Sequence, residues 1–336
     1  MANNQEIQLV KRPETTPTDE HLKIIDTTMP KPGDGEVLIK TLYVSVDPYM
    51  RGRMSSAKSY VEPFALKEAI SGGVVGQVIE SESEKFQAGD FVSGTLPWAR
   101  FSTAPENSIR KIDPSLGSLT ASLGVLGMPG LTAYFGLIDI GQPKQGETVV
   151  VSAAAGAVGS LVVQIAKLYG AYVVGIAGTD KKTAFLIEQL GADKAINYKT
   201  ENVGNALQTA CPNGIDVYFD NVGGTVSDAV YPLLNDHARI PQCGSIATYN
   251  DPNAQGPRLQ MHIVKARALI KGFIVSDYQA QFKEGLTKLS NWYKNGQLTY
   301  RETVREGFEH IPDAFFGLFE GENIGKQLVK TADPEE

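Results

Sequence analysis

From Thr148 to Ser152 the chain is a run of β-branched apolar residues, small residues follow to Ser160, and Leu161, Ile165 and Leu168 then recur at helical spacing. That succession predicts a strand, a tight turn and a helix. The alternation continues beyond it. Val149–Ser152, Tyr172–Ala177, Lys194–Asn197, Val217–Phe219 and Arg239–Gln242 read as strands, with helices over Gly156–Tyr169, Lys181–Leu190, Asn202–Ala210 and Thr225–Leu234. Strands that alternate with helices build a parallel sheet covered on both faces, with ligands at its carboxyl ends. The expected class is therefore α/β, with a doubly wound parallel sheet.

The pattern before residue 120 is different. Short apolar runs at Ile7–Val10, Leu22–Ile25, Val37–Val46, Val74–Ile79 and Phe91–Ser93 are separated by Pro, Gly and Asp, which predicts a β-rich domain shaped as a partly open barrel. Met128-Pro-Gly-Leu-Thr-Ala-Tyr-Phe-Gly-Leu-Ile138 reads as a buried helix leading into the second half. The last part predicts a strand at Ile270–Val275, an amphipathic helix over Gln281–Lys294, a short helix at Pro312–Phe319 and a terminal strand at Gln327–Val329.

At 336 residues the chain exceeds one small core and suggests two domains. Net charge is −7 and no long basic run is present, so nucleic acid and anionic membranes have no footprint here. The N-terminal stretch is polar within a few residues and no segment approaches the ~18 apolar residues of a spanning helix, from which a cytoplasmic location is expected. Cys211 and Cys243 are far apart, and His21, His237, His262 and His310 are scattered without ligand spacing, so no metal site is expected. Neither a G-x-S-x-G elbow nor a P-loop occurs.

The strand–turn–helix at 148–168 carries the candidate chemistry. Ala155, Gly156, Ala157, Val158 and Gly159 form a turn small enough for a pyrophosphate to approach the backbone at a helix N-terminus. An NAD site usually holds a carboxylate at the end of the second strand, but that strand ends here in Gly178. Asp180 reads as the cap of the next helix, and Lys181 and Lys182 either face solvent or supply charge for a 2′-phosphate. The expected cofactor is accordingly NADPH/NADP+. Ser45-Val-Asp-Pro-Tyr-Met-Arg-Gly-Arg53 is either a solvated Pro turn or part of a site, and Ser71-Gly-Gly-Val-Val-Gly76 reads as a bulge or a place of close packing.

Seven segments occur together in a family's order: Asp47-Pro-Tyr-Met-Arg51, Met128-Pro-Gly-Leu-Thr-Ala-Tyr134, Ala153-Ala-Ala-Gly-Ala-Val-Gly159, Ile196-Asn-Tyr-Lys199, Asp220-Asn-Val-Gly-Gly224, Cys243-Gly-Ser-Ile-Ala-Thr-Tyr249 and Glu322-Asn-Ile-Gly-Lys326. With them the chain resembles the zinc-independent medium-chain dehydrogenases/reductases, and among these the leukotriene B4 dehydrogenase, prostaglandin reductase and alkenal double-bond reductase family. The resemblance implies a GroES-like catalytic domain at residues 1–125, completed by a return at 301–336, and a Rossmann NADPH-binding domain at 126–300. It implies hydride transfer from NADPH to the C=C of a small-molecule α,β-unsaturated aldehyde or ketone, and a homodimer. Zinc-dependent relatives carry His-Glu where this chain has Gly72-Gly73, and a cysteine ligand near Ser45.

Carried over by resemblance, Lys182 and Tyr198 hold the adenosine 2′-phosphate end. Asn221 and the Cys243, Gly244, Ser245, Ile246 and Tyr249 loop line the cofactor, Phe273, Ile274, Val275 and Asn323 meet the nicotinamide end, and Tyr49 and Tyr249 face the substrate. Two other readings stay open: a quinone reductase, and an NADPH-binding protein without catalysis.

Overall fold

The computed structural model describes residues 3–335. They divide into two compact units, one comprising the chain up to Leu123 with Glu302–Asn323 and Gln327 onward, the other Gly124–Arg301 with Ile324–Lys326.

The first unit is β-rich. Strands β1 (Asn3–Leu9) and β2 (Leu22–Thr28) pair antiparallel. Strand β3 (Glu36–Ser45) has β4 (Ser71–Ser81) along one edge, and β5 (Phe91–Pro97) and β7 (Ile109–Lys111) extend the sheet from there. Strand β6 (Phe101–Pro105) lies along the first half of β3, paired Glu36 to Pro105 through Lys40 to Phe101. The helix α1 (Met50–Arg53) follows β3 immediately. The glycines of β4 are there for close packing, as expected: a Cβ on Gly72 would lie 2.9 Å from Trp98 Nε1, and one on Gly73 3.3 Å from Ser45 Cβ.

The second unit begins with α2 (Met128–Phe135), which continues into one π-helical turn at Gly136–Gly141. Six strands follow: β8 (Thr148–Val151), β9 (Tyr172–Ala177), β10 (Lys194–Asn197), β11 (Ile215–Phe219), β12 (Leu234–Gln242) and β13 (Leu269–Gly272). They are parallel, in the order β10-β9-β8-β11-β12-β13. Helices α3 (Gly159–Leu168), α4 (Asp180–Glu188), α5 (Val203–Ala210), α6 (Gly224–Val230) and α7 (Gln260–Ala266) are the successive crossovers. The order reverses between β8 and β11, the crevice where doubly wound sheets bind dinucleotides. Residues Thr148–Val151 are all buried, as a central strand covered on both faces requires. Helix α8 (Phe282–Lys294) comes after a 3₁₀ turn that begins at Val275, so β13 stops before the segment Phe273–Val275 rather than including it.

The chain then returns to the first unit. Strand β14 (Glu302–Glu306) borders β15 (Lys326–Lys330), which pairs antiparallel with the second half of β3 at Leu328 and Ser45. Between them helix α9 (Ile311–Glu320) buries Ile311, Ala314, Phe315 and Leu318, one stripe at helical spacing. Phe315 meets Trp98 edge-on at 6.2 Å between centroids, and its complete burial contributes on the order of 2–3 kcal/mol. Among the described residues no helix is long and apolar enough to cross a membrane.

Candidate functional site

Because the six strands of the second unit run parallel, whatever follows each of them emerges on one edge of the sheet. The expected cofactor residues of this unit do so strand by strand. Ala155–Gly159 follow β8, Gly178 follows β9, Tyr198 follows β10, Asn221 follows β11, Cys243 follows β12 and Phe273 follows β13.

The turn after β8 closes tightly. A Cβ on Gly159 would come within 2.8 Å of Ala154 Cα and closer still to the Ala153 carbonyl, so the helix can start there only with glycine. Gly156 is different: only the Ala153 carbonyl, at 3.2 Å, lies within 4 Å of its Cβ position. That side of the turn has no other protein atom within 4 Å. The Ala155 carbonyl accepts the Gly325 N–H at 2.7 Å, which anchors the turn from behind the chain's return.

At the end of β9 a Cβ on Gly178 would be 2.9 Å from the Tyr198 ring, which sits across it and is 43% exposed. Burial, and then the charge of Lys199, lower the Lys182 ammonium below the usual lysine range. The expectation that Asp180 caps α4 is corrected. Thr179 is the cap, its hydroxyl accepting the Lys182 N–H at 3.3 Å, and Asp180 is the first helical residue, its carboxylate accepting the Asn197 amide at 2.7 Å. Threonine, extended at φ −152°, has the backbone a cap needs.

The middle of the edge is held by Asp220, fully buried directly after β11. Its Oδ1 accepts the Ser152 hydroxyl at 3.1 Å, the Tyr218 hydroxyl at 3.0 Å and the Val222 and Gly223 N–H groups at 2.9 Å each. Its Oδ2 accepts the Ser227 hydroxyl at 2.7 Å and the Gln242 amide at 3.0 Å. Ser152, Asp220 and Gln242 end three neighbouring strands, so one carboxylate ties β8, β11 and β12 together. Asn221 completes the tie, donating from its side chain to the Ser152 carbonyl at 2.8 Å. Neither Asp220 nor Gln242 was singled out from the sequence as a site residue; the only signal was the segment Asp220–Gly224.

The loop after β12 lies on the loop after β11. The Cys243 and Gly244 N–H groups donate to the Asp220 carbonyl at 2.8 and 3.1 Å, and the Ala247 N–H to the Val222 carbonyl at 3.0 Å. Burial, and then the Asp220 charge, push the Cys243 thiol up to about 12, which leaves it protonated and inert at neutral pH. Tyr249 follows the 3₁₀ turn Ile246–Thr248 in this loop, its Oη accepting the Ser245 N–H at 3.3 Å, and its phenol is raised above the ordinary range chiefly by burial. Phe273 turns its ring inward onto Phe219, so what it offers a ligand is its backbone.

Comparison with known proteins shows the family to which this fold belongs. Residues 5–112 match the family described as the N-terminal domain of oxidoreductase, and residues 157–291 the family described as zinc-binding dehydrogenase. The Bacillus subtilis (strain 168) protein YfmJ, assigned as an NADP-dependent oxidoreductase, is 58% identical over 99% of this chain and 99% of its own. The NADP(+)-dependent 2-alkenal reductase of Nicotiana tabacum is 43% identical over 93% of this chain and 92% of its own. The crystal structure of CurA from Vibrio vulnificus in complex with NADPH superposes with a TM-score of 0.94, at 44% identity over 98% of this chain and 100% of that one. The chain belongs to the zinc-independent medium-chain dehydrogenase/reductase family.

In this reductase the remaining expected residues, Tyr49 and Asn323, belong to the first unit. Tyr49 is the residue before α1 and packs half-buried against that unit's apolar core. Burial first, and Asp47 second, hold its phenol far above the ordinary tyrosine range. Asp47 is itself buried and accepts the Ser45 hydroxyl. Among the described residues no group of three His, Cys, Asp or Glu side chains is placed to hold a metal ion.

Proposed function

We propose that this reductase transfers hydride to the carbon–carbon double bond of α,β-unsaturated aldehydes and ketones, with Tyr249 stabilising the oxygen that becomes negative. That it is an NADP-dependent oxidoreductase follows from its family. The cofactor fits this chain: a glycine turn open on one side, Gly178 where an NAD site would place a carboxylate, and Lys182 beside Lys199. Lys182 and Tyr198 would hold the adenosine 2′-phosphate. Ala155–Gly159 would hold the pyrophosphate, Asn221 and Cys243–Tyr249 would line the cofactor, and Phe273–Val275 would meet its nicotinamide end. NADPH supplies the hydride.

The observation that carries the reading is the state of Tyr249. Its oxygen already accepts the Ser245 N–H, so its own O–H is left to donate, and burial keeps that proton in place. Hydride arriving at a β-carbon sends negative charge to the carbonyl oxygen, and a neutral donor aimed there is what lowers the barrier. The test is NADPH oxidation, followed by absorbance, with short alkenals, aryl enones and quinones. Turnover of alkenals and enones well above that of quinones supports the proposal; quinone turnover alone would replace it with a quinone reductase, and NADPH binding without any turnover with a non-catalytic protein.

We further propose that the enzyme is a homodimer joined through β13. That strand ends the six-stranded sheet, and Met261 and Val264 on the preceding helix are 62% and 66% exposed, with Leu269 on the strand 53% exposed. An open edge bordered by apolar side chains invites a second strand.

A further inference from the structure

Asn197 is the last residue of β10 and is 5% exposed. Its amide donates to Asp180 Oδ1 at 2.7 Å while its side-chain oxygen accepts the Lys199 N–H at 3.1 Å. Its backbone N–H donates to Glu201 Oε1 at 2.7 Å. Both ends of the side chain are therefore fixed, and a buried side chain has no room to reorient. Asp180 lies two residues past Gly178, so it is the acid closest in the chain to the position at which an NAD site carries its ribose-binding carboxylate. Its bond to Asn197 is charge-assisted, and such a bond is about twice as strong as a neutral one.

We infer that Asn197 is a specificity-determining residue: by holding the Asp180 carboxylate at the end of β10, it keeps that acid from the cofactor's ribose and so selects NADPH over NADH. The inference rests on the reading of Gly178, Lys182 and Tyr198 as the 2′-phosphate site. A released carboxylate would act twice, accepting the ribose hydroxyls of NADH and repelling the phosphate of NADPH. Lys182 and Lys199 would then face an anion of the protein's own.

The test measures dissociation constants of NADPH and NADH by fluorescence in the full chain and compares their ratio. Asn197→Ala should lower the preference for NADPH by about tenfold, the size of one charge-assisted hydrogen bond gained or lost. Adding Asp180→Ala should restore the original ratio, because no carboxylate is left to interfere. Should Asn197→Ala not fold, Asp180→Glu, one methylene longer and out of register with the amide, tests the same bond from its other end and should lower the ratio too. An unchanged ratio in these variants, or an equally lowered one in the double variant, would overturn the inference. Lys182→Ala separates the two readings. If it too keeps the original ratio, the phosphate site itself is misplaced and the inference falls with it; if it loses the preference while Asn197→Ala does not, only the role of Asn197 is refuted.

Discussion

The Ser245 N–H donates to Tyr249 Oη at 3.3 Å, so a half-buried phenol is fixed by its own loop four residues upstream, with its proton still available. The bond orients the hydroxyl without consuming its donor.

Tyr249→Phe keeps the ring and removes that donor. Turnover of an enone should fall by on the order of 10²–10³-fold, the usual cost of deleting one oxyanion donor, with little change in NADPH affinity. The pH profile adds a second readout. Since burial raises the Tyr249 pKa, the neutral donor persists as pH rises through the ordinary phenol range near ~10, and kcat should not show an alkaline loss below that value. Unchanged kcat in Tyr249→Phe would remove this residue from the mechanism.

Asp220 supports the same loop from below. Asp220→Asn turns one acceptor oxygen into a donor that must face either the Gln242 amide or the Val222 and Gly223 N–H groups. Stability should drop on the order of 2–3 kcal/mol, as for a buried charged hydrogen bond broken on one side, read from the urea midpoint. Adding Gln242→Glu offers an acceptor to the new amide and should recover part of the loss. No recovery would show that the bond between β11 and β12 contributes little.

These two relationships also mark how far the sequence could be read. Strands β9 and β10 were expected at Tyr172–Ala177 and Lys194–Asn197 and occur there; for β9 a continuous apolar run that stops at Gly178 leaves little choice of limits. Strands β6, β7 and β14 were not expected. Only Ser102 and Ala104 of β6 are buried, and β14 buries none of its five residues, so their pairing comes from partners rather than from any hydrophobic pattern of their own. The same holds at the site. Small residues show where a cofactor fits, since glycine is a local requirement, but the carboxylate of Asp220 gathers Ser152, Tyr218, Ser227 and Gln242 from separate elements, and no spacing in the chain announces that.

Buried acids predict an alkaline limit to stability. Burial raises Cys211 from 9.0 to about 12, and Tyr231 from 10.0 to about 12. Between their unfolded and folded values the native chain holds more protons than the unfolded one, so stability is intact below about pH 9 and is lost as pH rises toward 12. Urea midpoints should be level from about pH 7 to about pH 8.5 and fall beyond it. Cys211→Ala should make that fall shallower; an equal slope would mean that Cys211 does not titrate with folding.

The open edge at β13 predicts assembly. In solution the 36.2 kDa chain should sediment at twice its mass, with the two β13 strands adjoining. Val264→Glu together with Met261→Glu places two charges among side chains that are now exposed and apolar, so the isolated chain should tolerate both with little loss of stability. The dimer should not tolerate them, because burying an unpaired carboxylate at an interface core is strongly unfavourable. Sedimentation velocity distinguishes the outcomes: a wild-type dimer that becomes monomeric in the double variant places the interface at this edge, whereas a dimer that survives both charges is built on another surface.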